Sequence, residues 1–195
     1  MNELFLKHLE NLSKFHCYAK GETIFHLGQQ AESIFKVIKG EVHLYRHSQN
    51  GKRVLLYRAY DNQFFAEASI NSDYYHCTAV SLKASEIQIV DARKMALELG
   101  ENSEFALAWA ANLSSELRRQ RANVERLHLK SAEERLRHFI MTEGSPLGEL
   151  HQKGTVSELA EILGLSREAL YRIISKMEKQ GVLLRNDNLI KLKDI

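Results

Sequence analysis

Residues 155–179 read TVSELAEILGLSREALYRIISKMEK, and the fold of the chain is organised around this stretch. Apolar residues recur in it at helical spacing in two groups, which are Val156, Leu159, Ala160 and Leu163, then Leu170, Ile173, Ile174 and Met177. Gly164 separates the groups, where a tight turn needs the left-handed backbone that glycine adopts at low cost. Thr155 and Glu158 form a capping box before the first group, and Ser166 can N-cap the second. The stretch therefore predicts two short helices joined by a turn of about three or four residues, a helix-turn-helix.

The second predicted helix carries polar side chains on the face opposite its apolar group. We predict that this face binds DNA through Ser166, Arg167, Glu168, Tyr171, Arg172, Ser175 and Lys176. Arg167 and Glu168 lie in the first turn, which a recognition helix presents to base edges. Arginine can donate two hydrogen bonds to guanine, and glutamate can accept one from cytosine. The alternative is an ordinary solvated helix face, on which Glu168 and Arg172 form an i, i+4 ion pair.

The segment from Ser166 to Ile173, SREALYRI, resembles the recognition helix of the Crp/Fnr family of bacterial transcription regulators. In that family the positions that match Arg167, Glu168 and Arg172 contact bases, and this chain has the matching residue type at each. The resemblance implies a homodimer that binds double-stranded DNA at an inverted-repeat operator and contacts RNA polymerase.

A small β-hairpin is predicted beyond the second helix. Gly181 ends the helical pattern, and the apolar runs 182–184 and 189–192 flank the polar residues 186–188. This hairpin would be the wing of a winged helix-turn-helix. Arg185 and Lys191 on it either reach DNA phosphates or are solvated charges at a strand edge.

Short apolar runs alternate with glycine and polar turns between residues 20 and 91. The predicted strands are 23–25, 34–38, 42–46, 54–59, 79–82 and 86–90. Asn50-Gly51 between two of them is typical of a hairpin turn, and such spacing predicts an antiparallel sandwich or barrel. Residues 2–15 predict a short helix in front of the strands. The glycine spacing of residues 20–90 resembles the effector-sensing jelly roll of cyclic-nucleotide-binding proteins, Crp/Fnr regulators included.

The resemblance also places an effector pocket in the position of the phosphate-binding cassette of that family. Its residues here are Glu67, Ala68, Ser69, His76, Cys77 and Thr78. Glu67 matches the ribose-binding glutamate, but Ala66 replaces a glycine and Cys77 stands where the phosphate-binding arginine would be. Because a buried phosphate needs a cation, we predict no binding of cyclic AMP or cyclic GMP at micromolar levels.

His76-Cys77 allows three interpretations. In the first, Cys77 is a buried core thiol and His76 lies on the surface. In the second, the pair takes part in haem or redox sensing, because it loosely resembles the haem ligands of a carbon-monoxide-sensing branch of the family. In the third, the pocket holds another small ligand. Adjacent strand residues point to opposite faces, which disfavours one iron bound by both in a single subunit. The cofactor is therefore left unknown.

A long helix is predicted between residues 101 and 130, which contain no proline or glycine. A heptad seam for a dimer runs along it through Leu113, Leu117, Gln120, Val124 and Leu127. A helix of about 28 residues would be about 42 Å long, too long to pack against one small domain. The alternative is a solvated connector between domains. Leu107 and Ala111 are expected to face the jelly roll.

The composition fits a globular protein, since the 195 residues are 44% hydrophobic and 27% charged. The net charge is only +2, so the prediction of DNA binding depends on the motif and not on bulk charge. Cys17 and Cys77 are too few for a disulfide framework, and no CxxC pattern is present. No secretion signal or membrane-length apolar run is present, and a reducing cytoplasmic setting is expected.

The patterns together predict an α+β chain in three parts. These are an N-terminal antiparallel β jelly roll in residues 1–100, a long dimerisation helix in residues 101–130, and a C-terminal winged helix-turn-helix domain in residues 131–195. Residues 131–141 predict a further helix at the start of the last part.

Two other classes of function compete with a transcription regulator. Jelly-roll barrels also form metal-dependent dioxygenases, and the chain has nine histidines, but it has no His-x-His or HExxH pattern. His43 and His47 share a strand face only if that strand is regular. We therefore assign no catalytic residue, no metal site and no enzymatic activity. A cyclic-nucleotide-regulated module without DNA binding is disfavoured by the complete helix-turn-helix.

Overall fold

The computed structural model describes residues 3–151, 155–186 and 188–193. The chain divides into two compact units, residues 1–112 and residues 113–195, and the division falls inside one long helix. An antiparallel β domain comes first, the long helix follows, and a helix-turn-helix domain comes last, so the predicted α+β class is confirmed.

The first unit contains two four-stranded antiparallel sheets, the arrangement of a jelly roll. Its strands are β1 (Ser13–Tyr18), β2 (Thr23–Phe25), β3 (Ser33–Lys39), β4 (Glu41–His47), β5 (Arg53–Tyr60), β6 (Phe64–Phe65), β7 (Thr78–Ser81) and β8 (Ser85–Asp91). The strand orders are β1-β8-β3-β6 and β2-β7-β4-β5. All six predicted strands are present. The predicted hairpin turn joins β4 to β5, with a φ of 71° at Gly51.

Aromatic rings fill the space between the two sheets. The Phe25 ring stacks on Tyr75 with centroids 3.9 Å apart, and Phe35 stacks on Phe65 at 5.0 Å. Cys77 is buried in the same core. The inward residues of both sheets therefore form one continuous hydrophobic core.

Three helices belong to the first unit wholly or in part, and they are α1 (Glu3–Asn11), α2 (Ala92–Glu101) and the start of α3 (Ser103–His128). They cover the other side of the β1-β8-β3-β6 sheet through an apolar cluster of Phe5, Leu9, Ile34, Phe64, Val90, Met95, Phe105 and Trp109. The expectation that Leu107 and Ala111 face the jelly roll is wrong, because Leu107 is 71% exposed. Phe105 and Trp109, one turn apart on α3, pack in this cluster instead, and the helical period directs Leu107 into solvent.

The helix predicted over residues 2–15 is also wrong at its C-terminal end, over residues 12–15. α1 ends at Asn11, and the next residues form β1, which pairs with β8 so that Phe15 lies opposite Gln88. Backbone pairing with β8 satisfies the amides of this aromatic-rich segment, which outweighs a short helical pattern. Asn2, where that helix was expected to begin, lies outside the described residues. β6 and α2 were also not predicted.

The second unit packs three helices against a small sheet. Its elements after α3 are α4 (Ala132–Glu143), β9 (Glu149–His151), α5 (Val156–Ile162), α6 (Arg167–Lys179), β10 (Leu183–Asn186) and β11 (Leu189–Leu192). The core is formed by apolar residues of every one of these elements, among them Leu136, Leu150, Leu159, Leu170, Met177, Leu183 and Ile190. The strand order is β10-β11-β9. β9 was not predicted.

The caps, the glycine turn and the wing predicted for the helix-turn-helix are all present. The Thr155 hydroxyl and the Glu158 carboxylate form the capping box of α5. Gly164 has a φ of 65°, and the Ser166 hydroxyl accepts from the Ala169 amide at 3.1 Å to cap α6. The predicted wing is the β10–β11 hairpin, in which Asn186 lies opposite Leu189. Asp187 of its turn lies outside the described residues.

Candidate nucleic-acid interface

The second helix of the motif, α6, has one buried and one open face. Leu170, Ile174 and Met177 are buried in the core of the second unit. All seven residues predicted to bind DNA are exposed, and they are Ser166, Arg167, Glu168, Tyr171, Arg172, Ser175 and Lys176. The helical period thus brings the predicted side chains onto one solvent face.

Two arginines on this face are not held in an ion pair, although Glu168 lies close enough to Arg167 to attract it electrostatically. Among the described residues, no carboxylate forms an ion pair with Arg167 or Arg172, and the i, i+4 pair between Glu168 and Arg172 is not formed. The pKa of Glu168 is lowered, chiefly by a hydrogen bond from its own backbone amide and then by the Ser166 hydroxyl. At neutral pH the first two turns of α6 therefore present two guanidinium donors and one ionised acceptor.

Lys176 differs from the other charged residues of the face. Its ammonium lies 3.1 Å from the Glu133 carboxylate of α4, and this bond is the main cause that lowers the pKa of Glu133. An exposed ion pair of this kind contributes about 0–1 kcal/mol. The side chain of Lys176 is thereby directed toward α4, away from the first turn of α6.

Two arginines lie near the Tyr171 ring, and sequence reasoning missed these contacts. The Arg167 guanidinium is 5.6 Å from the centroid of its ring, and the Arg185 guanidinium from the wing is 5.8 Å from it. Lys191 of the wing instead bonds to Glu149 at 2.7 Å. The strand alternation of β10 was the available signal, because Arg185 shares a face with buried Leu183.

A buried arginine joins α3 to α4 within the second unit. Arg126 is 1% exposed, and its guanidinium donates to Asn123 at 2.9 Å and to the Thr142 hydroxyl at 3.2 Å. It also lies 4.6 Å from the centroid of the Phe139 ring. Burial lowers the pKa of Arg126, while the nearby Glu143 opposes this. These contacts link the end of α3 to α4, the first helix of the helix-turn-helix domain.

Along α3 the residues of the predicted dimer seam are open. Leu113, Leu117, Val124 and Leu127 are 38%, 52%, 55% and 62% exposed. Gln120 in the middle of the stripe bonds to Glu116 at 2.6 Å. A row of large apolar side chains left in solvent is typical of an interface.

The predicted effector residues divide between the surface and the core. Glu67, Ala68 and Ser69 form a single 3-10 turn, and the Ser69 hydroxyl lies 3.4 Å from the His76 ring. His76 is exposed, whereas Cys77 is 1% exposed in the jelly-roll core. Burial raises the pKa of the Cys77 thiol, which keeps it protonated at neutral pH.

Two further contacts complete this region. The Thr78 hydroxyl accepts from the Leu27 amide at 3.0 Å. Arg46 of β4 donates to the His76 carbonyl and lowers the pKa of Cys77 electrostatically, against the larger effect of burial. Sequence reasoning missed this cation, because the β4–β7 register that brings it near His76 is not visible in the chain order.

Two features of the described residues bear on the other classes of function. Among the described residues, no group of three or more His, Cys, Asp or Glu side chains is placed to hold a metal ion. His43, considered above as a ligand, bonds to the buried carboxylate of Glu41 at 2.8 Å. Over the described part of the chain, no helix has both the length and the apolar character to span a membrane.

Two family models match the chain, one on each unit. Residues 15–99 match the cyclic nucleotide-binding domain, and residues 134–195 match the Crp-like helix-turn-helix domain. Transcriptional regulator LdrP of Thermus thermophilus is 24% identical over 186 residues, which cover 91% of each protein. The cAMP-activated global transcriptional regulator CRP of Haemophilus influenzae is 27% identical over 176 residues, which cover 86% of this chain and 79% of that protein.

A solved structure repeats the architecture. The structure of FixK2 from Bradyrhizobium japonicum superposes with a TM-score of 0.69 at 22% identity, and the match covers 93% of each chain. At this identity the likeness concerns the fold, and the order of jelly roll, long helix and helix-turn-helix is common to both.

Proposed function

Because this chain belongs to the Crp/Fnr family of bacterial transcription regulators, we propose that it acts as a homodimeric, sequence-specific regulator that does not respond to cyclic AMP. One observation supports the proposal of sequence-specific DNA binding. The outer face of α6 exposes Arg167 and Arg172, neither of which forms an ion pair among the described residues, beside an ionised Glu168. Its named relatives are transcription regulators, and we infer that the chain has no catalytic activity.

Base reading follows from where the charges lie on α6. The N-terminal turns of a recognition helix enter the major groove. There Arg167 and Arg172 each donate two bonds to a guanine, and Glu168 accepts from the amino group of a cytosine. Each good bidentate contact discriminates against the wrong base by about 1–3 kcal/mol. A donor that has no internal partner loses no bond when it turns to a base.

The partner for the open stripe on α3 is a second copy of the chain. Leu113, Leu117, Val124 and Leu127 repeat at heptad spacing, and Gln120 is a polar residue of the kind that sets register in such a seam. Two-fold symmetry then places two α6 helices on half-sites about one helical turn, roughly 34 Å, apart. Contact with RNA polymerase is proposed on family membership alone.

The effector segment, residues 67–78, is proposed not to bind cyclic nucleotides. Cys77 is a neutral thiol turned into the core, so it offers no bond to a phosphate. Arg46 is nearby, but its Nε already donates to the His76 carbonyl. Calorimetry with cyclic AMP on the purified protein is expected to show no heat at micromolar concentration, and saturable heat would overturn this part of the proposal.

Retention of genomic fragments tests the DNA function. Purified protein is mixed with sheared DNA at about 0.15 M salt, and the retained fragments are sequenced, since specific contacts outlast the salt-sensitive phosphate contacts. The expected result is one enriched inverted repeat. Retention without an enriched sequence would leave only non-specific binding and would contradict the proposal.

A further inference from the structure

The stack of Arg167, Tyr171 and Arg185 joins two separate elements of the second unit. Tyr171 follows Arg167 by one turn of α6, so the two side chains lie on the same strip of the helix. Arg185 comes from β10 of the wing, 14 positions further along the chain than Tyr171. Both guanidinium groups lie within cation–π distance of the ring, at 5.6 Å and 5.8 Å from its centroid.

The strand register explains why Arg185 faces α6 while Lys191 does not. On β10, Leu183 is buried against α6, and Arg185 lies two residues further on the same face. Lys191 pairs in register with Leu184 and therefore lies on the opposite face, where its ammonium bonds to Glu149 at 2.7 Å. One basic residue of the wing is thus directed to the recognition helix, and the other is held elsewhere.

A stacked arginine starts from fewer conformations than a free one. A long exposed side chain loses rotamer entropy when it binds, and ordering it beforehand lowers this cost. Tyr171 is 39% exposed, so it remains accessible to solvent beside the two arginines. Within the described residues no carboxylate forms an ion pair with Arg167 or Arg185, although Glu168 attracts Arg167 electrostatically, so both guanidinium groups remain available to DNA.

We propose that Tyr171 is a positioning residue of the DNA interface, which holds Arg167 toward a base edge and Arg185 toward the neighbouring phosphate. Helix and wing then bind DNA as one surface. The inference rests on the DNA binding proposed above and goes beyond it, because it assigns a role to Tyr171 and separates Arg185 from Lys191.

Binding of the full-length protein to its enriched operator tests the role of the ring. Tyr171→Leu keeps an apolar side chain of similar length but has no aromatic face, and it is expected to lower operator affinity about five- to thirtyfold. Tyr171→Phe keeps the face and is expected to stay within about twofold of wild type. Tyr171→Leu is expected to cost less in an Arg167→Ala background, because the residue it positions is already absent.

The salt dependence tests the role of Arg185. Arg185→Gln is expected to reduce the slope of log affinity against log salt by about one, equally on operator and random DNA, as for a lost phosphate contact. Lys191→Gln is the matched control, since it removes the same charge from the same hairpin, and it is expected to leave the slope unchanged. Circular dichroism of each variant confirms its folding.

Three results would overturn the inference. The first is Tyr171→Leu with wild-type affinity, and the second is Tyr171→Phe with the same loss as Tyr171→Leu, which would assign the effect to the hydroxyl. The third is an unchanged salt slope in Arg185→Gln. Wild-type protein that prefers no sequence would overturn the proposed function itself, so the two failures are distinguishable.

Discussion

The outer face of α6 and the effector segment both keep the outline of a family motif, but they treat their polar groups in opposite ways. On α6, Arg167 and Arg172 present unpaired charges to solvent. In the effector segment the hydroxyl of Ser69 lies against His76, that of Thr78 accepts a backbone amide, and Cys77 is inside the core. The α6 face leaves two arginines without an ion pair, whereas the hydroxyls of the effector segment are bonded within the chain.

The difference indicates that a sequence motif can be preserved while the groups that would bind a ligand are not. A donor that is bonded inside the protein must break that bond before it binds a ligand, so internal partners weaken a site. A helix face needs only exposure and spacing, which the helical period sets directly. A pocket needs particular groups at particular depths, and we propose that one replacement, Cys77 for the family's arginine, removes the phosphate contact while the strands remain intact.

The largest expected effect comes from α3, whose exposed apolar stripe is proposed above to bind a second copy of the chain. The double substitution Leu117→Lys and Val124→Lys places like charges across the seam and removes apolar burial. We expect monomers in sedimentation and a loss of operator affinity of at least about a hundredfold, because the second half-site contact is no longer tethered.

A matched pair of substitutions controls for surface charge on the same protein. Leu97→Lys and Leu107→Lys change two apolar residues that are 65% and 71% exposed and lie off the seam. This double variant is expected to remain a dimer. If the Leu117 and Val124 double variant remained a dimer, the interface would not be formed by this stripe of α3.

The next largest effect is expected from the two arginines exposed on α6. Arg167→Ala and Arg172→Ala are each expected to weaken operator binding by about 1–3 kcal/mol and to relax the preference for one base pair. Titration of each variant on operator and on random DNA measures both quantities. Arg93→Ala, an exposed arginine of α2, is expected to change neither. Equal losses on operator and random DNA would assign both residues to phosphates and contradict base reading.

A smaller effect is expected from the buried thiol of the effector segment. Cys77→Ser places a hydroxyl in the apolar core and is expected to lower the free energy of unfolding by about 1–2 kcal/mol, with operator affinity unchanged. Cys17→Ser, at an exposed position, is expected to stay within about 0.5 kcal/mol of wild type. Urea unfolding measures both. A stable Cys77→Ser protein that has lost operator binding would instead indicate a sensing role for the thiol.

Lys176 is expected to show the smallest effect, although it lies one turn from Arg172. Its ammonium is held by Glu133 at 3.1 Å in an exposed pair. Lys176→Ala is expected to change affinity by less than about threefold, alike on operator and random DNA, since such pairs contribute about 0–1 kcal/mol. A loss confined to the operator would place Lys176 among the base contacts.

Local patterns predicted the parts of the fold that depend on local physics. Helical spacing, Gly164 and the caps at Thr155 and Ser166 predicted α5, the turn and α6, because each of these signals lies within a few residues of its effect. The helix predicted at Ser13–Phe15 failed because pairing with β8, far along the chain, decides that segment.

The same limit applies to the candidate site. The period of α6 exposes all seven predicted residues, but the contact of Arg185 with Tyr171 and the position of Arg46 were not predicted. Both depend on strand register between distant parts of the chain. Leu107 was misplaced for a related reason, because Phe105 and Trp109 occupy the packed side of α3.

Hydroxyl-radical footprinting on one retained genomic fragment tests the central proposal most directly. A homodimer that reads DNA with α6 is expected to protect two half-sites related by two-fold symmetry, with centres about one helical turn, roughly 34 Å, apart. Arg172→Ala at the same concentration is expected to lose both protected regions together. Protection that is asymmetric, or that appears equally on any sequence, would contradict a symmetric and specific DNA-binding regulator.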